Sequence, residues 1–254
     1  MAHKPYTLIT ADIHLQPDDT HPVNQAFYRF LEQDAPKADA LYLLGDLFEM
    51  WVGDDHGLAH YATVIGKFKH LTEQGLPIYL MYGNRDFLMR RAFFDATGIQ
   101  FLKEPALVNL YGLPVLMLHG DSLCTDDKAF QRMRLLLRNR LVTWLFLKLP
   151  QHKRVAIGEN MRANSQKHNL NKSENIMDVN QVAVRKLLQR FPHCKHLVHG
   201  HTHRPYLHQI EQDGQLKHRW VVGDWRPQTE ILKVLSNQTI ERVAYPYLSN
   251  ALTS

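Results

Sequence analysis

The stretch Leu41-Tyr42-Leu43-Leu44-Gly45-Asp46 is an unbroken apolar run that ends on a glycine and a carboxylate. Apolar residues without alternation describe a strand covered on both faces, and α/β proteins place their chemistry just past the carboxyl ends of such strands. Four other runs end in the same way. Leu8-Ile9-Thr10-Ala11 leads into Asp12-Ile13-His14, and Ile78-Tyr79-Leu80-Met81 leads to Gly83-Asn84-Arg85-Asp86. Val115-Leu116-Met117-Leu118 meets His119-Gly120-Asp121, and Leu197-Val198 meets His199-Gly200-His201-Thr202-His203. Carboxylate, imidazole and amide oxygen are the donors that hard or borderline divalent cations select. A single Asp-x-His after a strand is an ordinary loop pair. Five strand ends of this kind predict that Asp12, His14, Asp46, Asn84, His119, His201 and His203 converge on two cations, with Asp46 placed to bridge them. Cations sharing a ligand sit about 3.5 to 4 Å apart.

Between these runs the pattern is helical. A helix is predicted through Phe27, Phe30 and Leu31, another through Leu58, Val64, Ile65, Phe68 and Leu71 stopping at Gly75, and a third from Phe87 to Thr97 before Gly98. This β-α-β rhythm implies a mostly parallel sheet flanked by helices. From Ile99 to Leu118 short strands broken by Pro105, Gly112 and Pro114 suggest a second sheet. From Cys124 to about Arg190 the chain reads as helices, including Asp126 to Leu149 and Asn175 to Phe191. The site pattern returns afterwards, so the expected division is a core of residues 1–123 and 191–254 with a helical insertion at 124–190.

With 254 residues and 44% hydrophobic content, the chain has enough apolar material for one large core. Cys124 and Cys194 stand far apart in no CxxC pattern, which argues against a disulfide framework and a thiolate zinc site. The start Met1-Ala2-His3-Lys4-Pro5 has no signal-peptide character, and no run of about 18 apolar residues suggests a membrane span. A cytoplasmic protein that rests at most on a membrane surface is expected. The net charge of +5 favours an anionic partner. A nuclease would account for that charge, but no array of stacking aromatics accompanies it, so no nucleic-acid partner is expected.

The ordered set of strand-end residues resembles the calcineurin-like metallophosphoesterase superfamily over most of the chain outside the insertion. The resemblance implies a two-sheet β-sandwich flanked by helices, an α-β-β-α fold, here with the helical insertion as a lid. It also implies two divalent metal ions, commonly Mn2+. One would take Asp12, His14, Asp46 and His203, the other Asp46, Asn84, His119 and His201. Many members carry histidine after the Gly-Asn pair, whereas this chain has Arg85. Guanidinium stays protonated, so it supplies charge and hydrogen bonds but no proton. A leaving phosphate monoester, whose second pKa is about 6, needs none. Arg85 therefore favours a pyrophosphate link over a simple phosphodiester. The plainer alternative pairs Arg85 with Asp86 or Asp121.

The segments Tyr42 to Glu49, Gly83 to Leu88, Ile176 to Asn180, Gly200 to Pro205 and Val222 to Trp225 resemble, more narrowly, the bacterial hydrolases of UDP-2,3-diacylglucosamine. That resemblance implies hydrolysis by a hydroxide held between the metals, attacking the α-phosphorus. The products would be UMP and 2,3-diacylglucosamine 1-phosphate (lipid X), in lipid A biosynthesis, by a monomer bound peripherally to the cytoplasmic side of the inner membrane. It implies catalytic roles for Asn84, Arg85 and His201, and substrate contacts at Asn84, Arg85, Asp127, Ser165, Asn169, Lys172 and His201. In the insertion, Leu135-Leu136-Leu137 and Leu141 to Leu147 are interleaved with Arg132, Arg134, Arg138, Arg140 and Lys148. Such a surface suits an acyl-chain groove or an anionic bilayer. Equally, the helix could pack its apolar face on the core with its charges in solvent. Trp51, Trp220 and Trp225 read as packing residues. The rival functions are another dimetal phosphoesterase, such as a dinucleoside polyphosphate hydrolase or phosphodiesterase, and a non-catalytic scaffold on the same fold.

Overall fold

Along β2 (Ala40–Leu43) and the residue after it, alternate side chains enter different cores. Leu41 and Leu43 join one buried cluster with Leu8, Ile78 and Leu80, whereas Tyr42 and Leu44 join another with Ile9, Met81, Val115, Met117 and Val198. A strand apolar on both faces has been sandwiched between two layers, as its unbroken hydrophobic run requires. The second cluster is the interior between two sheets. The first lies under helices, and a third cluster covers the far face of the second sheet. The result is the α-β-β-α order. These observations come from a computed structural model describing residues 5–170, 178–226 and 229–245, the side chains of 166–170 excepted.

The first sheet contains β1 (Tyr6–Thr10), β2, β3 (Ile78–Leu80) and β4 (Gln100–Phe101), all parallel, with β10 (Thr229–Leu235) and β11 (Ile240–Tyr245) antiparallel beside β1. Its order is β11-β10-β1-β2-β3-β4. The second sheet, β5-β6-β7-β9-β8, has β6 (Leu113–Leu118), β7 (His196–His199) and β9 (Gln215–Val221) parallel at its centre. Its edges are the antiparallel β5 (Ala106–Leu110) and β8 (Tyr206–Gln212). Against the first sheet lie α1 (Pro22–Gln33), α2 (Asp54–His60), α3 (Ala62–Glu73) and α4 (Arg91–Thr97). Phe27 and Phe30 each meet the Trp225 ring edge to face in that layer, at centroid distances of 5.0 and 5.4 Å, and the Trp225 indole donates to Thr10 Oγ1. Burying each such ring contributes about 1.5–3 kcal/mol.

Several boundaries differ from the sequence expectation for identifiable reasons. The helix expected from Phe87 begins only at Arg91, because its amino end is capped from elsewhere: Arg90 N and Phe93 N both donate to the Asp54 carboxylate. The Leu58 to Leu71 periodicity is two helices, broken at Tyr61, whose hydroxyl donates to Met50 O. Residues 126–149 form α5 (Lys128–Leu137) and α6 (Arg140–Leu147), separated by Asn139, whose side chain caps Leu141 N and Val142 N. The pair Gln100–Phe101 joins the first sheet, not the second. After α7 (Gln151–Leu170), the helix expected over 175–191 is α8 (Gln181–Gln189), capped by Asn180. Residues 175–177 lie outside those described. Val184, Leu187 and Leu188 of α8 pack on the second sheet, so the expected insertion of 124–190 includes a helix that serves as a core layer.

Candidate metal centre

The carboxyl ends of β1, β2 and β3 from one sheet and of β6 and β7 from the other open on the same end of the sandwich. Five of the side chains predicted there sit on backbone in the left-handed region: Asp12 (φ 53°), His14 (55°), Asp46 (52°), His201 (70°) and His203 (54°). Such conformations cost on the order of 1–3 kcal/mol each and persist only where neighbours over-determine them. Here the loops hold one another. Asp12 N donates to Gly45 O at 3.1 Å, His14 N to Asp46 O at 3.0 Å, and Gly200 N to His119 O at 2.9 Å. Two glycines allow the approach: a Cβ on Gly83 would stand 2.0 Å from Asp46 Oδ1, and one on Gly200 would stand 2.3 Å from Asp12 Oδ2. Asp86, wholly buried, accepts from Leu47 N (2.7 Å) and Gly83 N (2.6 Å), and so ties the β2 loop to the β3 loop.

Two donor groups result. In Asp12, His14 and His203, and again in Asp46, His119 and His201, one ligand atom from each residue lies within 4.8 Å of the others. Asn84 completes the second group, with its Oδ1 3.2 Å from His119 Nε2. The Asp46 carboxylate acts on both groups: it is 3.8 Å from His119 Nε2, and its charge bears on His14 and His203. All seven residues expected at the site are thus brought together.

These donors suit cations. Asp12 Oδ1 is buried without a hydrogen-bond partner, a costly state unless something else binds it. His14 Nε2 and His203 Nε2 are 3.3 Å apart, close to the separation of adjacent ligand atoms around a cation with bonds of about 2.1 Å. His119 Nδ1 faces Leu44 O at 2.8 Å. A carbonyl only accepts, so Nδ1 carries a proton, which leaves Nε2, facing Asn84 and Asp46, as the nitrogen a cation would take in exchange for its proton; this is the usual way a ligating imidazole is oriented. Burial presses His14 down to about 3 and His201 to about 4, which keeps both neutral. At His119 burial is outweighed by Asp46, Asp12, Asp121 and Glu104, which lift it to about 9. Burial also opposes ionisation of Asp12, yet the field of His203, whose Nε2 lies 3.5 Å from Oδ1, with those of His119 and His14, holds its carboxyl well below the usual range.

Arg85 pairs with neither Asp86 nor Asp121. Its Nη1 donates to Glu49 Oε1 at 2.6 Å, and its Nε lies 3.8 Å from Asp46 Oδ2. Glu49 was not among the expected site residues, although it stands three positions after Asp46. Buried, it also accepts from Arg162 Nε of α7 at 2.7 Å and lies 3.6 Å from His14 Nδ1. Asp127 caps α5 by accepting from Phe130 N, and the Phe130 ring stacks on His201 at 5.7 Å. Ser165 is exposed on α7. The Asn169 side chain and Lys172 lie outside the described residues.

Two of the arginines around α5 turn inward, whereas Arg132 and Arg140 are exposed. Arg134 and Arg138 both donate to Asp121 Oδ2, at 2.7 and 2.8 Å, and both reach Glu104 Oε1, at 3.2 and 3.0 Å. Glu104 in turn accepts from His119 N. On the outer surface Met133, Leu135, Leu136, Leu141, Trp144 and Leu145 are exposed. Of the two arrangements open from the sequence, the one with an apolar face on the core and charges in solvent is therefore not the one adopted by α5.

A strand-end dimetal site between two sheets defines a class, and the family model for calcineurin-like phosphoesterases matches residues 6–205; the chain belongs to that family. Within it, a protein of Aeromonas salmonicida (strain A449) is 44% identical over 246 residues, covering 96% of each chain. A protein of Shewanella sp. (strain ANA-3) is 45% identical over 95% of this chain and 98% of its own, and one of Serratia proteamaculans (strain 568) is 43% identical over 95% and 99%. All three are UDP-2,3-diacylglucosamine hydrolases, and the chain belongs with them.

Proposed function

We propose that the protein hydrolyses the pyrophosphate bond of UDP-2,3-diacylglucosamine to UMP and 2,3-diacylglucosamine 1-phosphate, a step of lipid A biosynthesis. The observation that carries this reading is the pair of donor groups on strand ends with a permanently charged guanidinium beside them. Asp12, His14 and His203 would hold one divalent ion, and Asn84, His119 and His201 the other, with Asp46 between. Manganese fits a set of carboxylate, imidazole and amide oxygen. When bound, two such ions supply an acidified water and neutralise charge on the phosphoryl oxygens.

Arg85 adds charge at the same point, and Glu49 and Asp46 hold its guanidinium in place. It has no proton to give, and the departing sugar 1-phosphate needs none. In this step a water gives up one proton to solvent, its oxygen bonds to the α-phosphorus, the bond to the bridging oxygen breaks, and the lipid phosphate leaves as an anion. Asn84 and His201 face the same space. Asp127, Ser165, Asn169 and Lys172 are the remaining proposed substrate contacts.

The outward apolar faces of α5 and α6 support acyl-chain binding by the insertion and peripheral contact with the cytoplasmic face of the inner membrane. Among the described residues no helix is long and apolar enough to cross a membrane.

The test offers the manganese-loaded protein the acylated UDP-sugar, its deacylated form and a generic phosphodiester. UMP release should be fastest from the first; preference for the phosphodiester would overturn the reading. In 18O water the label should enter UMP, and label found only in the lipid phosphate would refute attack at the α-phosphorus.

A further inference from the structure

Arg219 of β9 is fully buried, and no carboxylate lies within salt-bridge distance of it among the described residues. Among the described residues its Nε and Nη2 have no hydrogen-bond partner, and Nη1 has one, Nε2 of the equally buried His199 at 3.0 Å. A guanidinium in such a place is costly; the field of the Asp178 carboxylate offsets part of that cost, and His199 supplies the hydrogen bond. A guanidinium can only donate, which makes His199 Nε2 the acceptor and places the imidazole proton on Nδ1. Nδ1 then donates to Gly200 O at 2.9 Å.

That carbonyl is a junction. It also accepts from Thr202 N, while Gly200 N donates to His119 O and His201 N donates to Asp12 Oδ2 at 2.7 Å. The peptide that His199 grips therefore lies between the two donor groups, at the start of the turn in which His201 and His203 adopt left-handed backbone. Gly120 leaves room for the grip, since a Cβ there would stand 3.0 Å from His199 Nδ1 and 3.1 Å from Gly200 O.

We infer that Arg219 is a positioning residue: through His199 it locks the Gly200 carbonyl and so presets His201 and His203 for cation binding. The inference rests on the metal-centre reading above. It touches no reacting atom.

The two arms of His199 can be separated. His199→Asn keeps an N–H where Nδ1 donates to Gly200 O but loses the acceptor for Arg219. His199→Gln keeps that acceptor but loses the grip on Gly200. Manganese affinity is measured by chelator competition on folded protein, with melting temperature recorded alongside. His199→Gln and Arg219→Met should bind manganese about 10- to 100-fold more weakly, and His199→Asn should bind more tightly than His199→Gln. Excess manganese should restore kcat of both weakened variants with KM for the nucleotide sugar unchanged. Equal affinities in the two His199 variants, or the reverse order, would overturn the inference even if Arg219→Met fails to fold. So would unchanged affinity in a folded Arg219→Met. Absence of manganese binding by the unaltered protein would instead refute the metal-centre reading.

Discussion

In the five strand-end loops the main chain holds the functional side chains: peptide N–H groups and carbonyls bridge one loop to the next, and carboxylates meet imidazoles across 3 to 4 Å. In α5 the relation is reversed. Arg134 and Arg138 hold the helix by reaching into the core, and Met133, Leu135 and Leu136 are left outside. One region is fixed by backbone and can tolerate strain. The other is fixed by a few ion pairs and presents apolar surface to whatever approaches the site. On the function proposed above, loops fixed by backbone beside a helix held at few points would suit a reaction in which one part of the substrate must be aligned to tenths of an ångström while its long chains need only be sheltered.

The comparison breaks most severely at Asp46. Asp46→Asn weakens both donor groups and the acceptor of Arg85 N, and metal analysis should find less bound manganese. At several kcal/mol of lost charge stabilisation, turnover should fall by more than about three orders of magnitude. Arg85→Ala should cost on the order of 100-fold in kcat with metal content unchanged, which separates guanidinium charge from metal holding.

Detaching α5 should leave the strand-end loops standing. The double replacement Arg134→Met with Arg138→Met leaves Asp121 buried beside Glu104 without either guanidinium, and urea unfolding should report a loss of about 3 kcal/mol. Burial opposes ionisation of Asp121, but His119, Arg138 and Arg134 hold its carboxyl down at about 2. Its folded pKa lies below the unfolded value of about 4, so its contribution is complete above that pH and fades as pH falls toward 2. Asp121→Asn should flatten that acid limb. The smallest change in stability is expected on the outside: Leu136→Ser or Trp144→Ser should alter unfolding by less than about 0.5 kcal/mol, yet raise KM for the acylated substrate without affecting its deacylated form. Unchanged KM would argue against an acyl-binding role for this face.

How much of this was legible varies by region. The seven donors were readable because each stands within a few residues of an apolar strand, and two-sided burial writes itself as an unbroken run. Glu49 was not, although it lies in the same motif as Asp46. Its role comes from Arg85 and Arg162, 36 and 113 positions away. The inward turn of Arg134 and Arg138 was hidden for the same reason, because an arginine among leucines has the same local pattern whether its carboxylate lies below it or nowhere. The late start of α4 depends on a cap lent by Asp54.

The amino-acid order alone determined the alternation of strands and helices and the chemistry at the strand ends, since both follow from periodicity and neighbours in sequence. Only the folded chain decided which carboxylate each guanidinium meets, which face of α5 looks outward, and that a buried arginine on β9 stands behind the ligand turn. Those are contacts between distant segments, whose energies exist only once the sheets have closed on each other.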